Sequence, residues 1–151
     1  MRRKQVIPAS QRHQPNEDSN YRCRACGNPD VDNLQADHIV PESKGGTLTA
    51  DNLQCLCGIC NNRKGSTDIG ELPILPPINP NITWDELQQD MLTRRYAFSQ
   101  LLTHTRQNEV AELIHTTQYA MRKGTTLRVC LNRIVKSHGR RTAEKIRQAI
   151  K

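Results

Sequence analysis

Aromatic residues are scarce in this 151-residue chain: one Trp, one Phe and three Tyr, 3% of the total. A small module with so few large apolar side chains cannot rely on an ordinary core. It needs disulfides or a metal to hold it. Long apolar runs are missing too. No stretch approaches the ~18 consecutive apolar residues of a membrane helix, so no spanning segment is expected. Met1-Arg2-Arg3-Lys4 is basic, but no apolar run follows it, so it does not read as a secretory signal. A cytoplasmic protein with no membrane association is therefore expected. Acidic residues are almost absent from the C-terminus: residues 121–151 carry 10 basic side chains and 1 acidic one. The whole chain has 22 Lys and Arg against 15 Asp and Glu, net +7, which points to an anionic partner.

The charge is unevenly spread. Residues 1–20 are net +2, residues 21–66 neutral, residues 67–120 net −4 and residues 121–151 net +9. This divides the chain as its other signals do. Residues 1–20, polar and with Pro8 and Pro15, read as a flexible N-terminal arm. Residues 21–66 hold five of the six cysteines. Residues 67–82 contain Pro73, Pro76, Pro77 and Pro80, too many for a helix, and read as an extended linker or a strap across another surface. Residues 83–151 read as helical.

The helical region opens with Thr83-Trp84-Asp85-Glu86, a capping box, flanked by Ile82 and Leu87 at the staple positions. Trp84, Leu87, Met91, Phe98 and Leu102 follow at helical spacing. A second helix is expected from about Glu109, with Val110, Leu113, Ile114 and Met121 on one face and Gly124 as its stop. Leu127, Cys130, Leu131 and Ile134 mark a third, ending near Gly139. Ala143, Ile146, Ala149 and Ile150 mark a short fourth.

Cys23-Arg24-Ala25-Cys26 and Cys57-Gly58-Ile59-Cys60 are two CxxC pairs. Together they offer four thiolates, the ligand set of a tetrahedral structural Zn²⁺ site. In a reducing compartment zinc is favoured over two disulfides. Zinc also answers the core problem, since such binding contributes roughly 10–16 kcal/mol of apparent folding energy. Cys55 would share a strand face with Cys57 and is a rival ligand, but Cys57 completes the CxxC. Cys130 lies on an apolar helical stripe and reads as core.

The residues between the pairs exceed the usual spacing of a zinc ribbon, so something is inserted there. The insert contains Asp37-His38 at the end of a strand over 34–40, closed by Pro41, then Gly45-Gly46 and a returning segment over 51–56. A short helix from Cys57 to Gly65 carries Asn61, Arg63 and Lys64. Asp37 and Asn61 offer oxygen ligands suited to Mg²⁺, which binds few protein oxygens plus substrate phosphate. His38 is a candidate general base. Arg63 and Lys64 are candidates for phosphate pairing. His13, His104, His115 and His138 fall in no motif.

Five pieces stand in one order: Cys23–Gly27 (CxxCG), Asp37–Pro41 (DHIVP), Gly45-Gly46, Asp51–Gln54 (DNLQ) and Cys57–Gly65 (C-x-x-C-N-x-x-K-G). In this order, over roughly Tyr21 to Ser66, the chain resembles the HNH (His-Asn-His) endonucleases. The resemblance implies an α+β chain, with a small zinc-stapled ββα-metal module followed by a mostly α-helical C-terminal region. It implies His38 as general base, Asp37 and Asn61 as ligands of a catalytic Mg²⁺ or Mn²⁺, and Asn52 as the residue that holds the loop orienting the base. Asn61 stands where the family has its last His or an Asn, giving a His-Asn-Asn variant. A similar variant occurs in guide-RNA-directed nucleases of bacteria, and an oxygen ligand there favours Mg²⁺ or Mn²⁺.

The expected function is metal-dependent hydrolysis of DNA, in duplex form, with no membrane partner. One such site cuts one strand, so a double-strand break requires a homodimer or two events. The rivals are a non-catalytic zinc module that binds nucleic acid and a nuclease subunit active only in a larger assembly. The basic tail supplies further candidate DNA contacts: Arg122, Lys123, Arg128, Arg133, Lys136, Arg140 and Arg141. The helices around Gly124 allow a helix-turn-helix, but clamping of the backbone without sequence preference is the preferred reading.

Overall fold

A computed structural model describes residues 6–150. Met1-Arg2-Arg3-Lys4, read above as a basic start, lies outside them. The architecture is α+β, as expected: a two-stranded antiparallel sheet with helices, then a region that is helical almost throughout.

Strand β1 is Leu34–His38 and strand β2 is Leu53–Cys57. Leu34 pairs with Cys57 and His38 with Leu53. Pro41 follows the first strand, and the chain reverses through Gly45, at φ +91°. Gly46 needs its missing side chain for a different reason: a Cβ there would collide with the Val40 carbonyl oxygen and come within 2.9 Å of Asn52 Nδ2. After β2, helix α3 spans Gly58–Lys64 and stops at Gly65, whose φ of +53° ends the helix. The order strand–strand–helix is thus the expected ββα module.

Residues 6–20, expected as part of a flexible arm, form two short helices, α1 (Ala9–Arg12) and α2 (Gln14–Asp18). Pro15 lies in the first turn of α2, where the missing N–H is not needed. Pro15 and Ser19 are buried, and α2 packs on both strands. Arg24, inside the first CxxC, donates through Nε to Ser19 Oγ at 3.0 Å.

The proline-rich segment is the strap of the two expected alternatives. Leu72 and Leu75 are buried. Arg24 Nη1 donates to Glu71 Oε1 at 2.8 Å and to the Leu72 carbonyl at 3.1 Å. Arg22 Nη1 donates to the Pro76 carbonyl at 2.8 Å. Two buried arginines beside the first cysteine pair thus pin the backbone carbonyls that proline leaves without helical partners.

Helix α4 runs unbroken over Trp84–Arg122, so the helix expected to begin near Glu109 is a continuation of the first. No Gly or Pro interrupts those residues. The capping box forms: the Thr83 amide donates to Glu86 Oε2 at 2.8 Å, and the Glu86 amide to Thr83 Oγ1 at 3.3 Å. Leu87, Phe98 and Leu102 are buried, but Trp84, expected on the apolar face, is 64% exposed. Helices α5 (Leu127–His138) and α6 (Arg140–Ala149) meet at Gly139, at φ +83°.

The described residues separate into two units, with the boundary between Leu102 and Thr103, inside α4. The first has its core around Cys23, Cys26, Leu56, Cys57, Cys60, Leu72, Phe98 and Leu102. The second packs Ile134, Ala143 and Ile146 with Val110, Leu113 and Ile114. Each unit uses its own stretch of α4. No described helix is long and apolar enough to cross a membrane.

Candidate active site and metal centre

The turn over 23–26, the end of β2 and the start of α3 bring the four CxxC sulfurs together. One ligand atom each from Cys23, Cys26, Cys57 and Cys60 lies within 4.8 Å of the others, and all four residues are fully buried. Cys26 Sγ and Cys57 Sγ are 3.7 Å apart. Four thiolates set tetrahedrally at about 2.3 Å from one ion lie about 3.8 Å from each other, so the spacing fits a shared metal. Mutual thiol hydrogen bonds favour the thiolate at Cys57 and Cys26 and the protonated thiol at Cys23 and Cys60, so the four share protons as one coupled cluster. Cys55 is not one of the four. It pairs with Ala36 in the ladder, and burial pushes its thiol up to about 12. Arg95 of α4, which the sequence did not single out, has its guanidinium raised, chiefly through its interaction with Cys26. A cation there offsets the negative charge of clustered thiolates.

At the other end of β1 lie the residues expected to carry chemistry. The ladder directs Asp37 and Gln35 to one face, since alternate residues share a side. Asn61 comes from α3. Two clefts, of about 940 and 720 Å³, open here. Gln35, Asp37, His38 and Asn61 are the four residues that line both. His38 Nε2 is buried and has no hydrogen-bond partner among the described residues. Asn61 Nδ2 donates to Gln35 Oε1 at 2.9 Å.

Asn52 does not face these clefts. It sits behind His38 and ties the following loop. Its Oδ1 accepts from the Val40 amide at 2.9 Å, and its Nδ2 donates to the carbonyls of Val40 at 3.1 Å and Thr47 at 2.8 Å. Its own carbonyl accepts from the Ile39 amide at 2.9 Å. The backbone just after His38 is thereby fixed at both faces of one side chain.

Lys64 departs from the expectation. Rather than facing phosphate, its side chain is fully buried, with Nζ 2.9 Å from Asp37 Oδ2 and 2.7 Å from the His38 carbonyl oxygen. A lysine at the last turn of so short a helix, packed over the sheet, has the length to reach back under the strand end. Arg63 is exposed, as are Arg122, Lys123, Arg128, Arg133, Lys136, Arg140 and Arg141. Lys123 lies over the Tyr119 ring at 5.8 Å. The larger cleft is also walled by Arg12 and His13 of the N-terminal segment, which no motif had marked.

Residues 23–67 match the HNH endonuclease family. Among curated proteins, a CRISPR-associated endonuclease Cas9 of Corynebacterium diphtheriae is 41% identical over 58 residues. The match covers 37% of this chain and 5% of that protein. No solved structure matches the chain. The matched segment contains both cysteine pairs, the two strands and α3. The N-terminal helices, α4, α5 and α6 lie outside it.

Proposed function

We propose that the chain is a metal-dependent DNA endonuclease. The observation that carries this reading is the meeting of Asp37 and His38, at the end of β1, with Asn61, from α3, on the wall shared by two open clefts. The donor set fits a hard cation: a carboxylate from Asp37, whose Oδ2 is shared with Lys64, and an amide oxygen from Asn61. Mg²⁺ or Mn²⁺ held there supplies charge that polarises a phosphodiester and stabilises its leaving oxygen. His38 takes the proton from the attacking water at its imidazole. Asn52 holds the loop behind it. Lys64 balances Asp37 and ties it to the His38 backbone.

The Cys23, Cys26, Cys57 and Cys60 site takes zinc, because four buried thiolates suit a borderline-soft ion in a closed site. Six unbridged cysteines suit a reducing, cytoplasmic setting. Catalysis belongs to residues 21–66, with 67–82 as a strap. Most of the electrostatic affinity for duplex DNA comes from residues 121–151, whose exposed basic side chains neutralise backbone phosphates. One site nicks one strand, and a second copy or a second event completes a double-strand break. A second reading, a nuclease that acts only within a larger assembly, draws support from the relative, in which the matched segment is a small part of a long protein. Incubating supercoiled plasmid with the purified chain and Mg²⁺ or Mn²⁺, with and without EDTA, tests the proposal. Ion-dependent nicking by the isolated chain supports it over both rivals.

A further inference from the structure

We propose that Gln35 is a positioning residue that sets which end of the Asn61 amide faces the metal site. This rests on the reading of Asn61 as a metal ligand given above. Of the four side chains common to both clefts, Gln35 is the one without an assigned role.

An asparagine ligand poses a problem that a histidine ligand does not. Half a turn of its amide exchanges an oxygen acceptor for an NH₂ donor of nearly the same shape, and only the oxygen can ligate a divalent cation. Gln35 Oε1 accepts from Asn61 Nδ2 at 2.9 Å. An acceptor at that point holds the NH₂ and leaves Oδ1 for the site. Gln35 is well placed to do this. It lies two residues before Asp37, so the strand presents both on one face. Its backbone is fixed opposite Leu56 in the ladder. Its amide lies over Gly58, where a Cβ would come within 3.3 Å of Gln35 Nε2, so the second CxxC leaves room for it beside α3. One strand face thus supplies one ligand oxygen directly, from Asp37, and orients the other through Gln35.

The test reads metal binding rather than cleavage. Uptake of Mn²⁺ by the full, zinc-loaded chain is followed by loss of the free Mn²⁺ EPR signal, with zinc content and far-UV CD as folding controls. Asn61→Ala calibrates the loss of the ligand itself. Gln35→Met, similar in volume but with no acceptor oxygen, is expected to weaken Mn²⁺ binding about tenfold. Gln35→Glu keeps the acceptor and is expected to bind at least as tightly as the native chain. Should Gln35→Met lose zinc or helicity, Gln35→Lys replaces it; its ammonium would capture Asn61 Oδ1, and the same loss is expected. Native-like Mn²⁺ affinity in whichever of these two variants folds, with Asn61→Ala weakened, overturns this inference alone. So does Gln35→Glu binding as weakly as that variant. A native chain that takes up no Mn²⁺ overturns the metal-site reading and this inference with it.

Discussion

Lys64 Nζ stands 2.9 Å from Asp37 Oδ2 and 2.7 Å from the carbonyl oxygen of His38, and its side chain is wholly buried. The Asp37 side chain keeps only 13% of its exposure. One ammonium therefore serves two neighbours on β1, a carboxylate and the backbone of the proposed base.

Removing that ammonium should be costly. In Lys64→Met the Asp37 carboxylate loses its counter-charge in a largely dry setting, and stability should fall by about 3–5 kcal/mol. Added Mn²⁺ should restore part of the loss, because the ion replaces the missing charge. Thermal unfolding of the zinc-loaded chain, with and without Mn²⁺, checks this. An unchanged Tm in Lys64→Met would show that the pair contributes little.

The cysteine cluster sits inside the core of the first unit, against Leu56, Leu72, Phe98 and Leu102. Loss of one thiolate should therefore do more than weaken metal binding. Cys23→Ser is expected to lose its zinc and the cooperative unfolding transition of residues 21–102, because the binding energy is folding energy. Metal analysis and calorimetry read both. Full zinc content with a native transition would refute the structural role.

Cys55 gives a pH prediction. Its thiol is raised from an ordinary 9.0 to about 12 by burial, so the folded state favours the neutral form. The stability this group contributes is complete below pH 9 and is lost as pH climbs from 9 towards 12. At pH 8 the folded chain should leave Cys55 unmodified by iodoacetamide, and denaturant should expose it. Mass mapping of the alkylated peptide decides. Rapid modification of Cys55 in the folded chain at pH 8 would contradict its burial as a neutral thiol.

The tail prediction concerns salt. Replacing Arg133, Lys136, Arg140 and Arg141 by Gln keeps the second unit's apolar core. If all four meet phosphates, the slope of log K against log salt should flatten by about 3.6. Binding titrations of a DNA duplex over a range of NaCl concentrations measure it. An unchanged slope would move the electrostatic contacts elsewhere on the chain.

What could be read ahead of the structure was chemistry carried by local spacing. CxxC, Asp37-His38-Ile39-Val40-Pro41, Gly45-Gly46 and Asn61 each announce a turn, a strand end or a candidate ligand, and the ββα order followed from them. What escaped was set by packing across distance. Pro8 and Pro15 suggested an arm, yet Pro15 is tolerated at a helix start and is buried, in a helix that packs on β1 and β2. The apolar residues of α4 change partners between Phe98 and Val110, which looked like a helix break where no Gly or Pro makes one. Lys64 carries the signature of a surface phosphate contact, and only the ladder shows Asp37 within its reach. Gln35 has no motif value alone; its meaning comes from Asn61, 26 residues later.

The most direct test of the central claim is plasmid cleavage by the native chain and by His38→Ala, each zinc-loaded, with Mg²⁺ or Mn²⁺ and with EDTA as control. The account predicts nicked or linear product from the native chain only when the ion is present. It predicts none from His38→Ala, which should keep its zinc and its DNA affinity. Cutting by His38→Ala at the native rate, or no cutting by the native chain with either ion, would contradict it.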